Sequence, residues 1–264
     1  MNFTADHIKA LILDMDGVIW RADKPIGDLP ATFASLQAKG YGVALATNNS
    51  TRTVEQYLQV LASLEVHLEP WQIVTSAEAV GDYLKARFPA GGPVYVVGET
   101  GLVEAVRRRG FYVDPNTALA VVAGMDRSFT YQRLAAANRL IRAGSAFIGT
   151  NGDRTFPTPE GLVPGSGSIL AAIQSASGVE PIILGKPGAY MYELALQRLG
   201  LEPAEALVVG DRLETDIVGA QELGCHSALV LSGVTGLEAA RRWKPAPDWI
   251  GQDLATLVEL LPQR

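Results

Sequence analysis

Short, almost wholly apolar runs recur along this chain, separated by amphipathic stretches, and that alternation constrains the fold more than any other feature. The runs are Lys9 to Met15, Tyr41 to Thr47, Val94 to Gly98, Leu119 to Gly124, Ala146 to Thr150 and Ala206 to Gly210. A strand with one face in water alternates apolar and polar residues. These do not, so both of their faces must be covered. Helical patterns lie between them, at Thr53 to Leu64, Ala77 to Phe88, Thr130 to Ala143, Ala189 to Leu199 and Glu214 to Leu223. Strand–helix alternation of this kind implies an α/β fold with parallel sheets and right-handed crossovers.

A single sheet of ten or more strands is less favourable than two smaller ones. Phe88-Pro89-Ala90-Gly91-Gly92-Pro93 is a strong structure breaker, and the stretch Pro157 to Gly167 is another. The expected division is therefore a discontinuous domain of residues 1–77 and 179–264, with residues 78–178 inserted as a second α/β domain. A faint internal echo links ATNNS at 46–50 with GTNGD at 149–153, each at the end of an apolar strand. Polar residues follow strands in any βα unit, which explains the echo equally well.

Composition narrows the function. Acidic residues outnumber basic ones 28 to 22, a net charge of −6, which disfavours nucleic acid or an anionic membrane as partner. The one cysteine, Cys225, allows no internal disulfide and no cysteine-based zinc site. A three-histidine metal site would consume His7, His67 and His226, every histidine present. The N-terminal MNFTADHIKA has no apolar core like that of a signal peptide, and no 18-residue apolar run follows. A cytoplasmic globular protein is the expectation.

Four strand ends carry chemistry. The first delivers Asp14 and Asp16, which project to the same side of an extended backbone. Two neighbouring anions call for a cation, and with oxygen ligands alone a hard ion such as Mg²⁺ fits best. An Asp-Gly pair also makes ordinary turns. The second end is Thr47-Asn48-Asn49-Ser50, where hydroxyl and amide groups at a helix N-terminus suit an anion, although Ser50, Thr51 and Thr53 equally suit helix capping. The third is Gly185-Lys186-Pro187-Gly188, with Lys186 held off the following helix as a point charge. The fourth is Asp211 through Asp216, where Asp211 suits a metal ligand. Asp216 could orient Asp211 or Lys186, or simply favour a helix start, as could Glu214.

In this order and context the four motifs resemble those of the haloacid dehalogenase (HAD) superfamily. Residues 124–173 resemble the large α/β type II cap of its 4-nitrophenylphosphatase and nucleotidase-like (NagD-like) branch. The resemblance covers nearly the whole chain. It implies a Rossmann-like HAD core carrying an inserted cap, and a Mg²⁺-dependent phosphatase acting on a small-molecule phosphomonoester through an aspartyl-phosphate. It implies Asp14 as nucleophile and Asp16 as the acid that protonates the leaving oxygen and then activates water. Mg²⁺ would rest on the Asp14 carboxylate, the Asp16 backbone carbonyl and the Asp211 carboxylate, with Asp216 behind them. Thr47, Asn48, Asn49 and Lys186 would bind the phosphoryl group. Similar proteins dimerise through the cap, so a homodimer is a further expectation. Arg154, after the apolar strand of the cap, is the candidate for choosing the leaving group. It could meet a second polar group of the substrate or be fixed by a bidentate pair with Asp153, while Asp-Arg after glycine is also common turn chemistry.

Rival readings are few. Gly165-Ser166-Gly167-Ser168 lacks the register of a hydrolase elbow, and no P-loop or dinucleotide fingerprint is present. A phosphotransferase or mutase on the same scaffold would replace water with an alcohol. A receiver-like phosphoryl-binding module would need neither the length nor the insertion.

Overall fold

The structure is a computed structural model, and it describes residues 5–158 and 161–264. The first four residues of MNFTADHIKA and two residues of the Pro157 to Gly167 breaker lie outside the described residues. The chain divides into two compact units. The first comprises the chain up to Thr47, Glu55–Val74 and Lys186–Arg264. The second comprises Asn48–Val54 and Thr75–Gly185.

Among the described residues, the first unit is built on a six-stranded sheet. Its strands run in the order Trp249–Gly251, His226–Val230, Ala206–Gly210, Ala10–Leu13, Gly42–Thr47 and Ile73–Thr75. The first five of these are mutually parallel. The central strand Ala10–Leu13 is at most 1% exposed along its whole length, which is why its sequence is unbroken aliphatic rather than alternating. From that strand the chain winds outward to one side through Gly42–Thr47. It later winds to the other side through Ala206–Gly210, so the order reverses between Ala10–Leu13 and Ala206–Gly210. Ligands of open parallel sheets bind at the carboxyl ends of strands beside such a reversal. Asp14 and Asp211 are the residues that follow these two strands.

The second unit has its own five-stranded parallel sheet, in the order Ile182–Ile183, Ala146–Gly149, Ala120–Ala123, Gly92–Val97 and Phe111–Val113. Its core includes Val97, Val121, Ala123, Phe147, Leu170 and Ile173. This unit is wider than the stretch 78–178. Helix Ser76–Arg87 starts directly after a strand, and Ile182–Ile183 pairs with Ala146–Gly149, which keeps the chain in this unit to Gly185. A small antiparallel hairpin, Thr155–Thr158 with Gly161–Pro164, occupies part of the breaker-rich stretch.

Helix ends follow local chemistry. Helix Tyr131–Arg142 is capped by the Thr130 side chain, which accepts from the Arg133 N–H, and Arg139 and Arg142 stand in its last turn. The expected helix from Glu214 to Leu223 instead begins with a wide π-type turn at Leu213–Ile217 before a regular helix at Val218–Leu223. Within that turn the Asp216 carboxylate accepts from the Arg212 N–H at 3.1 Å, and such turns are frequent at functional sites.

Candidate active site

The first unit gathers Asp14, Lys186, Asp211 and Asp216 from three distant points of the chain. Lys186 is only 3% exposed. Its ammonium donates to Asp14 Oδ1 at 2.5 Å, Asp216 Oδ1 at 2.6 Å and the Ala46 carbonyl at 3.1 Å. Those are three acceptors for three protons, so the charge is aimed and cannot swing away. Asp14 is fixed by its own backbone N–H, which donates to the Val209 carbonyl across the sheet at 2.8 Å.

Asp211 is held from the other side. Val234 N–H donates to its Oδ2 at 2.6 Å, while Oδ1 is buried with no hydrogen-bond partner among the described residues. Two glycines make room for this carboxylate. Gly17 has φ +91, and a Cβ there would stand 2.5 Å from Asp211 Oδ2. A Cβ at Gly233 would come within 1.9 Å of the same atom. The Gly of Asp16-Gly17 is therefore a packing requirement as well as a turn.

Carboxylate oxygens of Asp14, Asp211 and Asp216 lie within 4.8 Å of one another. Three carboxylates crowd one ammonium, and the protonation of Asp14 and Asp211 reflects it. Burial, reinforced by Asp216 and Asp211, drives the Asp14 carboxyl well above its ordinary range despite Lys186. Burial and then Asp216 push Asp211 from 3.8 to about 6. Burial alone would depress Lys186, but Asp14 and Asp216 outweigh it and hold the ammonium well above its ordinary value. The cluster is short of positive charge. A divalent cation with oxygen ligands fits it, and the unpartnered Asp211 Oδ1 is a lone pair still to be satisfied.

The other expected residues are placed as follows. The Asp16 carboxylate stands outside the three-carboxylate group. Asp16 is exposed, and its backbone bridges to Trp20 at the start of a short hairpin. Thr47 is buried at the end of strand Gly42–Thr47. Asn48 and Asn49 are half-buried. Asn49 Oδ1 accepts from both the Thr51 N–H and the Thr51 hydroxyl, at 3.0 and 2.7 Å, which makes Asn49 the turn-forming residue ahead of helix Val54–Ser63.

Arg154 is exposed, and among the described residues its guanidinium has no ion pair; the Asp153–Arg154 pair is not formed. Asp153 accepts instead from the Asn48 amide at 3.2 Å. That contact, the Ala46 carbonyl on Lys186, and Asn151 were not read as functional from the sequence. The echo between ATNNS and GTNGD was the available signal for Asn151.

Comparison with known proteins agrees with this geometry. Residues 11–112 match the haloacid dehalogenase-like hydrolase family, and residues 183–257 match a second family described as HAD-hydrolase-like. A 5'-nucleotidase of Bacillus subtilis, YutF, is 35% identical over 230 residues, 87% of this chain and 90% of the relative. The crystal structure of a 4-nitrophenylphosphatase from Thermotoga maritima superposes with a TM-score of 0.92 at 31% identity, over 97% of this chain and 98% of that one. A glycerol phosphate phosphatase from Mycobacterium tuberculosis, solved in complex with magnesium, superposes with a TM-score of 0.88 at 32% identity, over 98% of this chain and 79% of that one. With its fold, its buried lysine and carboxylates and these relatives, the chain belongs to the haloacid dehalogenase-like hydrolases, in their NagD-like branch, and is a phosphatase.

Proposed function

We propose that this enzyme hydrolyses small, polar phosphate monoesters through an aspartyl-phosphate formed on Asp14. The observation that carries the reading is the Lys186 ammonium seated on Asp14 Oδ1 and Asp216 Oδ1, beside a buried Asp211 oxygen that has no hydrogen-bond partner among the described residues. A carboxylate attacking a phosphate dianion faces direct repulsion, so a buried, aimed cation is what that nucleophile requires. Asp216 draws on the same ammonium, orienting Lys186 toward Asp14 while keeping it charged.

In the first step the Asp14 carboxylate displaces the alcohol from phosphorus. Asp16, exposed beside the strand end, gives its proton to the leaving oxygen. In the second step Asp16 takes a proton from water, which attacks the aspartyl-phosphate and releases phosphate. Thr47, Asn48, Asn49 and Lys186 hold the phosphoryl oxygens through both steps. Mg²⁺ would be held by the carboxylates of Asp14 and Asp211 and the Asp16 carbonyl, and when bound it supplies positive charge to the phosphoryl group. Residues 78–178 serve as the substrate-selecting cap, with Arg154 meeting the leaving group. The exposed Arg154 guanidinium, without an ion pair among the described residues, supports that role.

The test is phosphate release with Mg²⁺ from p-nitrophenyl phosphate and from a panel of sugar phosphates, nucleoside monophosphates and glycerol phosphate. Many turnovers without an added alcohol acceptor are expected. At most one phosphate per chain would refute hydrolysis and favour a receiver-like module, and acceptor-dependent turnover would make the enzyme a phosphotransferase.

A further inference from the structure

The Thr150–Asp153 loop carries buried polar groups that the chemistry above leaves without a task. It echoes the Thr47–Ser50 segment in sequence, and within the second unit the echoes meet. Asn151 is 4% exposed. Its Oδ1 accepts from the Asp153 backbone N–H at 3.1 Å. A backbone N–H can only donate, so the amide orientation is fixed and Nδ2 must face the Asn48 carbonyl, to which it donates at 2.7 Å. Ser76 Oγ donates to the same carbonyl at 2.6 Å, which fills its second lone pair. The Asn48 amide donates in turn to Asp153 Oδ2 at 3.2 Å.

Gly185 completes the arrangement. A Cβ there would stand 2.3 Å from the Thr150 carbonyl and 2.6 Å from Asn48 Oδ1, so only glycine lets the backbone pass. Asn48 directly follows Thr47, and Gly185 directly precedes Lys186. One loop therefore hydrogen-bonds Asn48, the neighbour of Thr47, and closely approaches Gly185, the neighbour of Lys186.

We propose that Asn151 and Asp153 are positioning residues, which fix the Asn48 peptide and amide in the orientation that receives the phosphoryl oxygens. The inference rests on reading Asn48 as a phosphoryl ligand. Neither residue needs to touch the substrate. Each removes a rotation that Asn48 would otherwise have to give up when substrate binds, which is how supporting hydrogen bonds raise affinity.

The test uses inorganic phosphate as an inhibitor of p-nitrophenyl phosphate turnover by the full chain with Mg²⁺. Asn151→Asp keeps the size and the Oδ1 acceptor but turns an oxygen toward the Asn48 carbonyl. It is expected to raise the phosphate Ki and the KM about tenfold, the scale of one buried hydrogen bond replaced by an unpartnered acceptor, with a smaller fall in kcat. Asp153→Ala should move both constants the same way. Asp153→Asn, which keeps an oxygen for the Asn48 amide, should recover most of the phosphate affinity.

A merely structural role would lower the melting temperature of these variants and leave Ki at the wild-type value in whatever folds. That result overturns the inference. Asn48→Ala separates the two layers. If it leaves Ki unchanged, the reading of Asn48 fails and the inference with it. If it weakens phosphate while folded Asn151→Asp and Asp153→Ala do not, the positioning role alone is overturned. Should Asn151→Asp fail to fold, the Asp153 pair decides by the same criterion.

Discussion

Replacing Lys186 by methionine keeps the length of the side chain and removes its charge. In the native protein that charge sits 2.5 Å from Asp14 Oδ1 and 2.6 Å from Asp216 Oδ1, with only 3% of the residue exposed. The variant would leave Asp14, Asp211 and Asp216, with oxygens within 4.8 Å of one another, and no cation among them. Removing one partner of a buried ion pair costs about 3–5 kcal/mol, because the remaining charge stays buried. For a domain of this size that is a fall in melting temperature on the order of 10 °C. The loss should be greatest in chelator near pH 8 and shrink toward pH 5, because the stranded carboxyls can take up protons in the native state.

Magnesium should then stabilise Lys186→Met more than it stabilises the wild type, since the ion meets the same carboxylates without an ammonium to neutralise or repel it. At a hundred times the Kd the gain is about 2.7 kcal/mol. Turnover should remain lost, because the transferring phosphoryl group has lost the aimed Lys186 ammonium, which Mg²⁺ on the other carboxylates does not replace. The assay is thermal melting in chelator and in Mg²⁺, paired with phosphate release. A variant as stable as wild type in chelator, or one that gains less from Mg²⁺, would refute the account of the cluster.

Three further outcomes are expected. Asp14→Asn should abolish phosphate release while circular dichroism stays native, and a wild-type rate would remove Asp14 as nucleophile. Because Asp211 titrates near 6 when folded and near 3.8 otherwise, the native state holds the extra proton between those values. Asp211 should thus make stability in chelator fall as pH rises through that window, while the Mg²⁺-induced gain grows over it; melting curves of Asp211→Asn should show a shallower fall, the raised Asp14 carboxyl carrying what remains. Arg154→Ala should reorder preference across the phosphate panel and leave p-nitrophenyl phosphate nearly unchanged; equal loss on every substrate would exclude a specificity role.

The sheets were legible in the sequence because burial on both faces leaves an unbroken aliphatic run, as at Ala10–Leu13 and Ala206–Gly210. The meeting of Asp14 and Asp211 was legible for a related reason: parallel strands bring their carboxyl ends to one edge of a sheet, and these two residues directly follow neighbouring strands of it. The wide turn at Leu213–Ile217 was hidden, since a first turn rich in acids reads as an ordinary helix start. The Ala46 carbonyl on Lys186 and the Asn151–Asn48 bond were hidden more deeply. They join residues 140 and 103 positions apart, and a single long-range hydrogen bond leaves no period in a sequence. For Asp153, local reasoning favoured the adjacent arginine, and the tertiary partner Asn48 won.

The position of the first strand has a consequence for synthesis. Ala10–Leu13 leaves the ribosome well before one of its two sheet neighbours, Ala206–Gly210. At roughly 5–20 residues per second, the strand waits on the order of 10–40 s for that neighbour to be made. During that wait all of Thr75–Gly185 emerges, so the inserted unit has its whole sequence available first. The nascent chain must carry an aliphatic strand with an unpaired edge throughout, and until Ala206–Gly210 is made that edge is open to pairing with other chains.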